Sequence, residues 1–307
     1  MIKYIVRRLL LLIPIMLAVS FIVFTLLYIT PGDPVKMILG EGASPEAVAA
    51  IRAKLGLDQP FFTRYIGYLN NLFHMDMGIS YVTGGSVAKE IINCVPYTLH
   101  LAFVSILLAV VVGIPIGIVS AVKQYTTFDN VVMVIGLVGI SMPVFWLGLL
   151  LILFFAVNLK VLPSSGISTW RHMILPAITV GAQSIAVVCR MTRSSMLEVI
   201  RQDFIRTVRA KGQTEFNIVV CHTLHNAMIP IITVIGLQFG ALLGGAIMAE
   251  TIFSIPGVGR LMVDSIKQRD YPVVQGVVLF IAISFSLVNL LIDIVYAFID
   301  PKIRSKY

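Results

Sequence analysis

Six stretches of this chain run for eighteen residues or more without Asp, Glu, Lys or Arg: 9–32, 91–122, 130–159, 172–189, 216–249 and 271–292. A helix needs about 20 mostly apolar residues to cross the hydrocarbon of a bilayer. The pattern therefore predicts an all-α polytopic membrane protein with six transmembrane helices. Composition agrees, since only 12% of the 307 residues are charged, against about 25% in an ordinary soluble domain. The run 172–189 is the shortest and carries Gln183 and Ser184.

Lys and Arg set the orientation. With the N-terminus inside, the inner segments hold thirteen basic residues, among them Lys3, Arg7, Arg8, Lys123 and six between Arg190 and Lys211. The outer segments hold ten, with nine acids among them over longer stretches. Most of the net charge of +8 is thus expected on the cytoplasmic side, with both termini. Topology accounts for the basic balance, and no nucleic-acid partner is needed. Cys94, Cys189 and Cys221 form no Cys-x-x-Cys pair, so a disulfide framework is not expected. Leu9–Ile29 is long enough to span and lacks a small-residue cleavage site, which marks it as a retained first helix.

In chain order, residues 1–29 are read as a tail and first span, and 30–98 as an extracytoplasmic segment. Residues 99–298 form a five-helix core and 299–307 a cytoplasmic tail. Pro31, Gly32 and Pro34 stop the first span. Ser44 and Pro45 signal a helix start and Gly56 its end. Apolar residues at Phe61, Phe62, Tyr65, Ile66, Leu69, Leu72 and Phe73 trace one helix face. The later spans are expected at about 99–122, 131–157, 172–188, 230–249 and 273–298. Pro143 should kink the third. Gly236, Gly240 and Gly244 recur every four residues, which suits close approach to another span or to a partner chain.

One polar, basic interruption stands out within the loop at about 190–229. A helix with apolar residues at Leu197, Ile200, Phe204 and Val208 is expected there, with Glu198, Gln202, Arg206 and Arg209 on the opposite face. Gly212 should end it after Arg209 and Lys211, and Thr214 should cap the next helix. The arrangement resembles the cytoplasmic EAA loop of the permease subunits of ATP-binding-cassette importers. Gly212 holds the loop's glycine position and Leu224 its leucine, while Arg206, Thr207 and Val208 replace the Glu-Ala-Ala triplet. The string from Arg206 to Gly212, with Ala210 and Lys211 inside it, followed by His222 to Pro230, looks like the peptide/nickel branch. His225 stands where that branch more often has Arg. Glu250 to Leu261, Arg269 to Pro272 and Asp300 to Arg304 extend the likeness along most of the chain.

The resemblance implies a type I importer permease fold in the cytoplasmic (inner) membrane, surrounded by membrane lipid. It implies a second, similar permease chain, two cytoplasmic ATPases and an extracytoplasmic solute-binding protein. ATP and Mg would be used by the ATPases, with no cofactor bound by this chain. Alternating access, driven through the 206–224 loop, would move short peptides, with glutathione or chelated nickel as variants.

The sequence carries no glycine loop ending in Gly-Lys-Ser/Thr and no His-Glu-x-x-His. His222 and His225 lack carboxylate or cysteine company for a metal. No nucleophile has an evident base partner, so no enzymatic activity is expected. Asp293 lies near an expected span end and reads as structural, as does Glu250. Gln183 and Gln238 are the candidates for lining a pathway. An ion-coupled secondary transporter would need carboxylates near the midplane, often within an inverted repeat, and the chain shows neither.

Overall fold

The structure, a computed structural model, describes residues 2–40 and 42–299. The expected match at Asp300–Arg304, and nearly all of the expected tail, lie outside the described residues. Among those described there is no strand, only one antiparallel bridge between Ile79 and Ser86.

Helix α1 covers Ile2–Ile29, and short helices α2 (Pro34–Leu39), α3 (Pro45–Lys54) and α4 (Phe61–Phe73) follow. Asp33 caps α2 by accepting from Val35 N at 3.0 Å, and Ser44 caps α3 by accepting from Ala47 N at 3.2 Å. Helix α5 (Val87–Leu108) runs through a π segment, Ala109–Gly113, into α6 (Ile114–Val122). Next come α7 (Thr127–Ser141) and α8 (Val144–Leu151), the latter continued by a π segment at Ile152–Asn158. Helix α9 takes Arg171–Ile200 and α10 takes Asp203–Ala210. A short α11 (Glu215–Asn217) passes through the π segment Ile218–Leu224 into α12 (His225–Gly245). Last are α13 (Ile247–Ile252), α14 (Val258–Lys267) and α15 (Tyr271–Ile299).

Five of these helical stretches are long and apolar enough to cross a membrane. A sixth crossing exists if α7 and α8 form one span, and they meet at 103°. The expected kink at Pro143 is therefore a sharp turn: Met142 is extended (φ −77°, ψ 125°), as the residue before a proline prefers. The fourth span also differs from expectation. It runs on twelve residues past Val188 to Ile200, and within that extension Arg193 is paired with Asp129.

The chain divides into two compact units, Ile2–Thr98 with Pro256–Ser286, and Leu99–Ile255 with residues from Leu287 onward. In the first, Val87, Ile91, Val258, Val273 and Val277 form a buried core. Buried Asp270 accepts hydrogen bonds from Ser80 Oγ and Tyr81 N, tying the loop before α5 to the start of α15. Helix α4 lies on α1 through an aromatic cluster: Phe61 and Tyr65 contact Phe21 and Phe24 edge to face.

In the second unit α9 is the centre, buried at fourteen positions from Leu175 to Val199, and α6, α7 and α12 pack around it. The contact with the segment before α6 is backbone-close. A Cβ on Gly113 would come within 2.9 Å of the Ile185 carbonyl, and one on Gly117 within 2.6 Å of the Cys189 carbonyl. These two glycines, four apart, are a small-residue crossing of the kind membrane helices use. Ala121, Met196, Val199, Ala227 and Ile231 form the core beside it.

Candidate functional site

The polar interruption folds as an elbow between α9 and α12. Helix α9 stops at Ile200, and Gln202 turns extended (φ −76°, ψ 150°) before α10 begins at Asp203. The expected single helix over residues 197–208 is thus two helices. The break changes which side of α10 is anchored: Ile205 is fully buried, whereas Phe204 is exposed and Val208 half-buried. Ile205 and Ile218, on the π segment against which α10 packs, are the apolar anchors of the elbow.

Gly212 has φ +80°, and no atom lies within 4 Å of where a Cβ would stand. Its requirement is conformational, because the left-handed region costs other residues about 1 kcal/mol or more. Its N–H donates to the Arg209 carbonyl at 3.0 Å, closing α10. Thr214, extended at ψ 147°, accepts from Asn217 N at 3.4 Å and caps α11. Across the bend, Arg209 donates twice to Glu215, at 2.7 and 3.1 Å. That two-bond fork bridges the bend between α10 and α11 on the exposed surface.

The remaining residues expected at the loop separate into two groups. Arg206, Thr207, Arg209, Ala210, Lys211 and Gly212 are all exposed. With them Phe216, 73% exposed, and Val220 make a surface that is basic with apolar points. Leu224 is different: it is half-buried against the core containing Met196, Val199 and Ala227. It belongs to the foot of the elbow.

Behind the elbow sits a network that the sequence reading missed. Asp129, 1% exposed, accepts from Arg193 Nε at 2.6 Å and from Arg193 Nη2 at 2.7 Å. Ser120 Oγ and Tyr125 N (2.9 Å) also donate to it. The turn between α6 and α7 is thereby tied to α9 two turns before the elbow, and Arg201 reaches Gln124 Oε1 at 3.3 Å beside it. The available signal was an acid, Asp129, just before one apolar run, and a basic residue, Arg193, four positions past the end of another.

The candidate pathway residues are not brought together. Gln238 donates to Ser184 at 3.2 Å between α12 and α9, while neighbouring Gln183 is exposed. Of the glycine triplet, Gly236 faces the Ile292 side chain so closely that a Cβ would overlap it, Gly240 is buried and Gly244 half-buried. Among the described residues no three His, Cys, Asp or Glu side chains are grouped to hold a metal.

Residues 113–305 match the family described as binding-protein-dependent transport system inner membrane component. Residues 1–102 match that family's N-terminal region. The chain is 43% identical to the dipeptide transport system permease protein DppB of Escherichia coli K12, over the full length of both. It is 45% identical to the glutathione transport system permease protein GsiC of the same strain, again over the full length of both. In three dimensions it is similar to the MetNI methionine ABC transporter in inward-facing conformations. The TM-score is 0.57 at 20% identity, covering 69% of this chain and 97% of that one, a likeness of fold alone.

Proposed function

The chain belongs to the family of inner-membrane components of binding-protein-dependent transport systems, and on that premise we propose that it carries short peptides into the cell as one permease subunit of an ATP-binding-cassette importer. Full-length likeness to a dipeptide permease and a glutathione permease carries the cargo assignment. Glutathione is itself a short peptide, so the two relatives support one substrate class, with glutathione as the specific alternative.

The chain translocates by alternating access and binds no ATP. Two cytoplasmic ATPases supply the energy, an extracytoplasmic protein delivers the solute, and a second, similar permease completes the pathway. The elbow at 201–224 is the coupling element. Its exposed Arg206, Arg209 and Lys211, with Phe216, offer a protein partner both charge and an apolar anchor. The φ of Gly212 and the Arg209–Glu215 fork hold a rigid angle through which a push on α10 reaches α9 and α12. Both termini and the elbow face the cytoplasm, in keeping with the distribution of Lys and Arg.

The deciding experiment is uptake into proteoliposomes holding the complete assembly, with labelled dipeptide and labelled glutathione in parallel reactions and ATP inside. ATP-dependent dipeptide uptake is expected. Uptake of glutathione alone selects the alternative, and uptake of neither overturns the peptide assignment. Labelling of an elbow cysteine by an impermeant reagent in intact cells overturns the orientation.

A further inference from the structure

Helix α4 shows three faces. Phe61, Tyr65 and Tyr68 meet rings of α1, Tyr68 with Phe24 at 5.9 Å and Phe61 with Tyr28 at 5.0 Å between ring centroids. Arg64, Gly67 and Asn71 line a cavity of about 910 Å³, walled also by Asp33, Asp76 and Gln275. Phe62, Ile66, Leu69 and Phe73 follow a helical spacing on the third face. There Phe62 is 68%, Ile66 64% and Phe73 76% exposed. An apolar face of this extent on a soluble surface would need a cover.

We propose that this third face is immersed in lipid, in the leaflet where α1 ends, with acyl chains as its cover. The depth follows from contacts with α1. The apolar span of α1 is Arg8–Ile29, and the Tyr65 hydroxyl meets Ser20 Oγ at 3.0 Å and donates to the Leu17 carbonyl at 3.3 Å. Ser20 stands nine residues before the end of that span, about 14 Å along a helix that rises 1.5 Å per residue. A residue held there lies inside a hydrocarbon core about 30 Å thick. Helix α1 supplies the continuity, because Ile22, Leu26 and Ile29 are themselves exposed along the same stretch of a membrane helix.

The other faces suit that placement. The Arg64 guanidinium lies over the Phe24 and Tyr28 rings at 5.9 and 5.7 Å, at the wall of the cavity, so its charge is met by ring faces and not by the third face of the helix. The Tyr68 hydroxyl is buried, and burial pushes its phenol well above the usual range, as a poorly hydrated site requires. Helix α4 thus divides lipid on one side from the cavity that holds Asp33, Asp76 and Gln275 on the other.

The test uses the complete assembly in proteoliposomes, in an active background with Cys94, Cys189 and Cys221 replaced by alanine. Phe62→Cys, Ile66→Cys and Phe73→Cys are each labelled with an environment-sensitive fluorophore and exposed to lipids spin-labelled on the acyl chain. Thr63→Cys and Asn70→Cys, on the polar edge, serve as comparison. Several-fold stronger quenching at 62, 66 and 73 than at 63 and 70 is expected, with little labelling of those three by a hydrophilic maleimide. Equal maleimide labelling at all five sites places the face in water and overturns the proposal. Protection without lipid quenching means that a protein covers it, which overturns the proposal equally. Three independent positions keep the test decisive if one substitution fails to fold.

Discussion

Helices α4 and α10 are both short, amphipathic and outside the long spans, yet they are built for different neighbours. Helix α10 is held by one fully buried side chain, Ile205, and presents Arg206, Arg209 and Lys211 around it. Helix α4 has no fully buried residue, rests on a sheet of aromatic rings, and presents Phe62, Ile66 and Phe73 outward. Charge beside isolated apolar points suits a protein surface, where steering and register matter. A continuous apolar stripe with no charge suits lipid, which offers area and no directional partners. Amphipathicity alone does not name the partner; what surrounds the apolar positions does.

The largest effect expected is behind α10. Arg193→Ala leaves Asp129 buried without its cation, and breaking such a pair costs about 3–5 kcal/mol. Loss of folded, monodisperse protein in detergent is expected, measured by thermal unfolding monitored on a sizing column. Replacing both partners, Asp129→Asn with Arg193→Met, should recover much of it. Wild-type stability of Arg193→Ala would show that α10 does not depend on the frame behind it.

Next is Ile205→Ala, which removes the anchor of α10 and should cost about 2–5 kcal/mol locally. The spans do not rest on this side chain, so insertion should be unchanged. Trypsin cleavage at Arg206 and Arg209 should become faster. Unchanged cleavage would mean that the Arg209–Glu215 fork alone holds α10, and would narrow its contrast with α4.

Gly212→Ala follows, at about 1 kcal/mol from the left-handed conformation alone, since the space for a methyl group is open. Gly212→Asp adds a charge of the wrong sign for the proposed basic docking surface. Both should leave the spans inserted, and the second should weaken retention of the ATPases or uncouple ATP hydrolysis from uptake. Wild-type retention, hydrolysis and uptake with Gly212→Asp would remove the elbow from coupling.

The contrast also shows what could be read in advance. The apolar runs gave the five helices long enough to cross and the bent pair α7 and α8, because lipid tolerates little unpaired charge, and Gly212 with Thr214 marked the bend through their own backbone chemistry. Where a distant residue decided the outcome, the reading went astray. Charge counting ended the fourth span at Val188, because Arg190 closes the uncharged run, and the acid that accepts Arg193 beyond it lies sixty-four residues earlier in the chain. Helical spacing carried through Arg201 favoured Phe204 over Ile205, because nothing local marks the break before Gln202. The triplet at Gly236 drew notice while Gly113 and Gly117, at the same spacing, did not. Only the partner backbone at Ile185 and Cys189 shows that they are the tight crossing. In α4 the apolar residues were visible, but not their division into a face on α1 and a face left open.

The smallest effect is expected where α4 meets α1. Tyr65→Phe removes a hydroxyl that touches Ser20 Oγ and the Leu17 carbonyl. Neither partner is left stranded, because Ser20 Oγ itself donates to the Leu17 carbonyl at 2.9 Å. The loss is therefore that of one satisfied hydrogen bond, about 0.5–1.5 kcal/mol and nearer the lower figure. Tyr65→Ala should cost more, since contacts with Phe21, Phe24 and Phe61 go as well, each aromatic pair contributing about 0.5–1.5 kcal/mol beyond its buried area. Thermal unfolding of the two variants separates the contributions: a small shift for Tyr65→Phe and a clear one for Tyr65→Ala is expected. Equal shifts would mean that the hydroxyl, and not the rings, holds α4 on α1. The helix would then be fixed by a directional bond, in contrast to α10 with its buried Ile205 anchor, and the two helices would differ in how they are held as well as in what they expose.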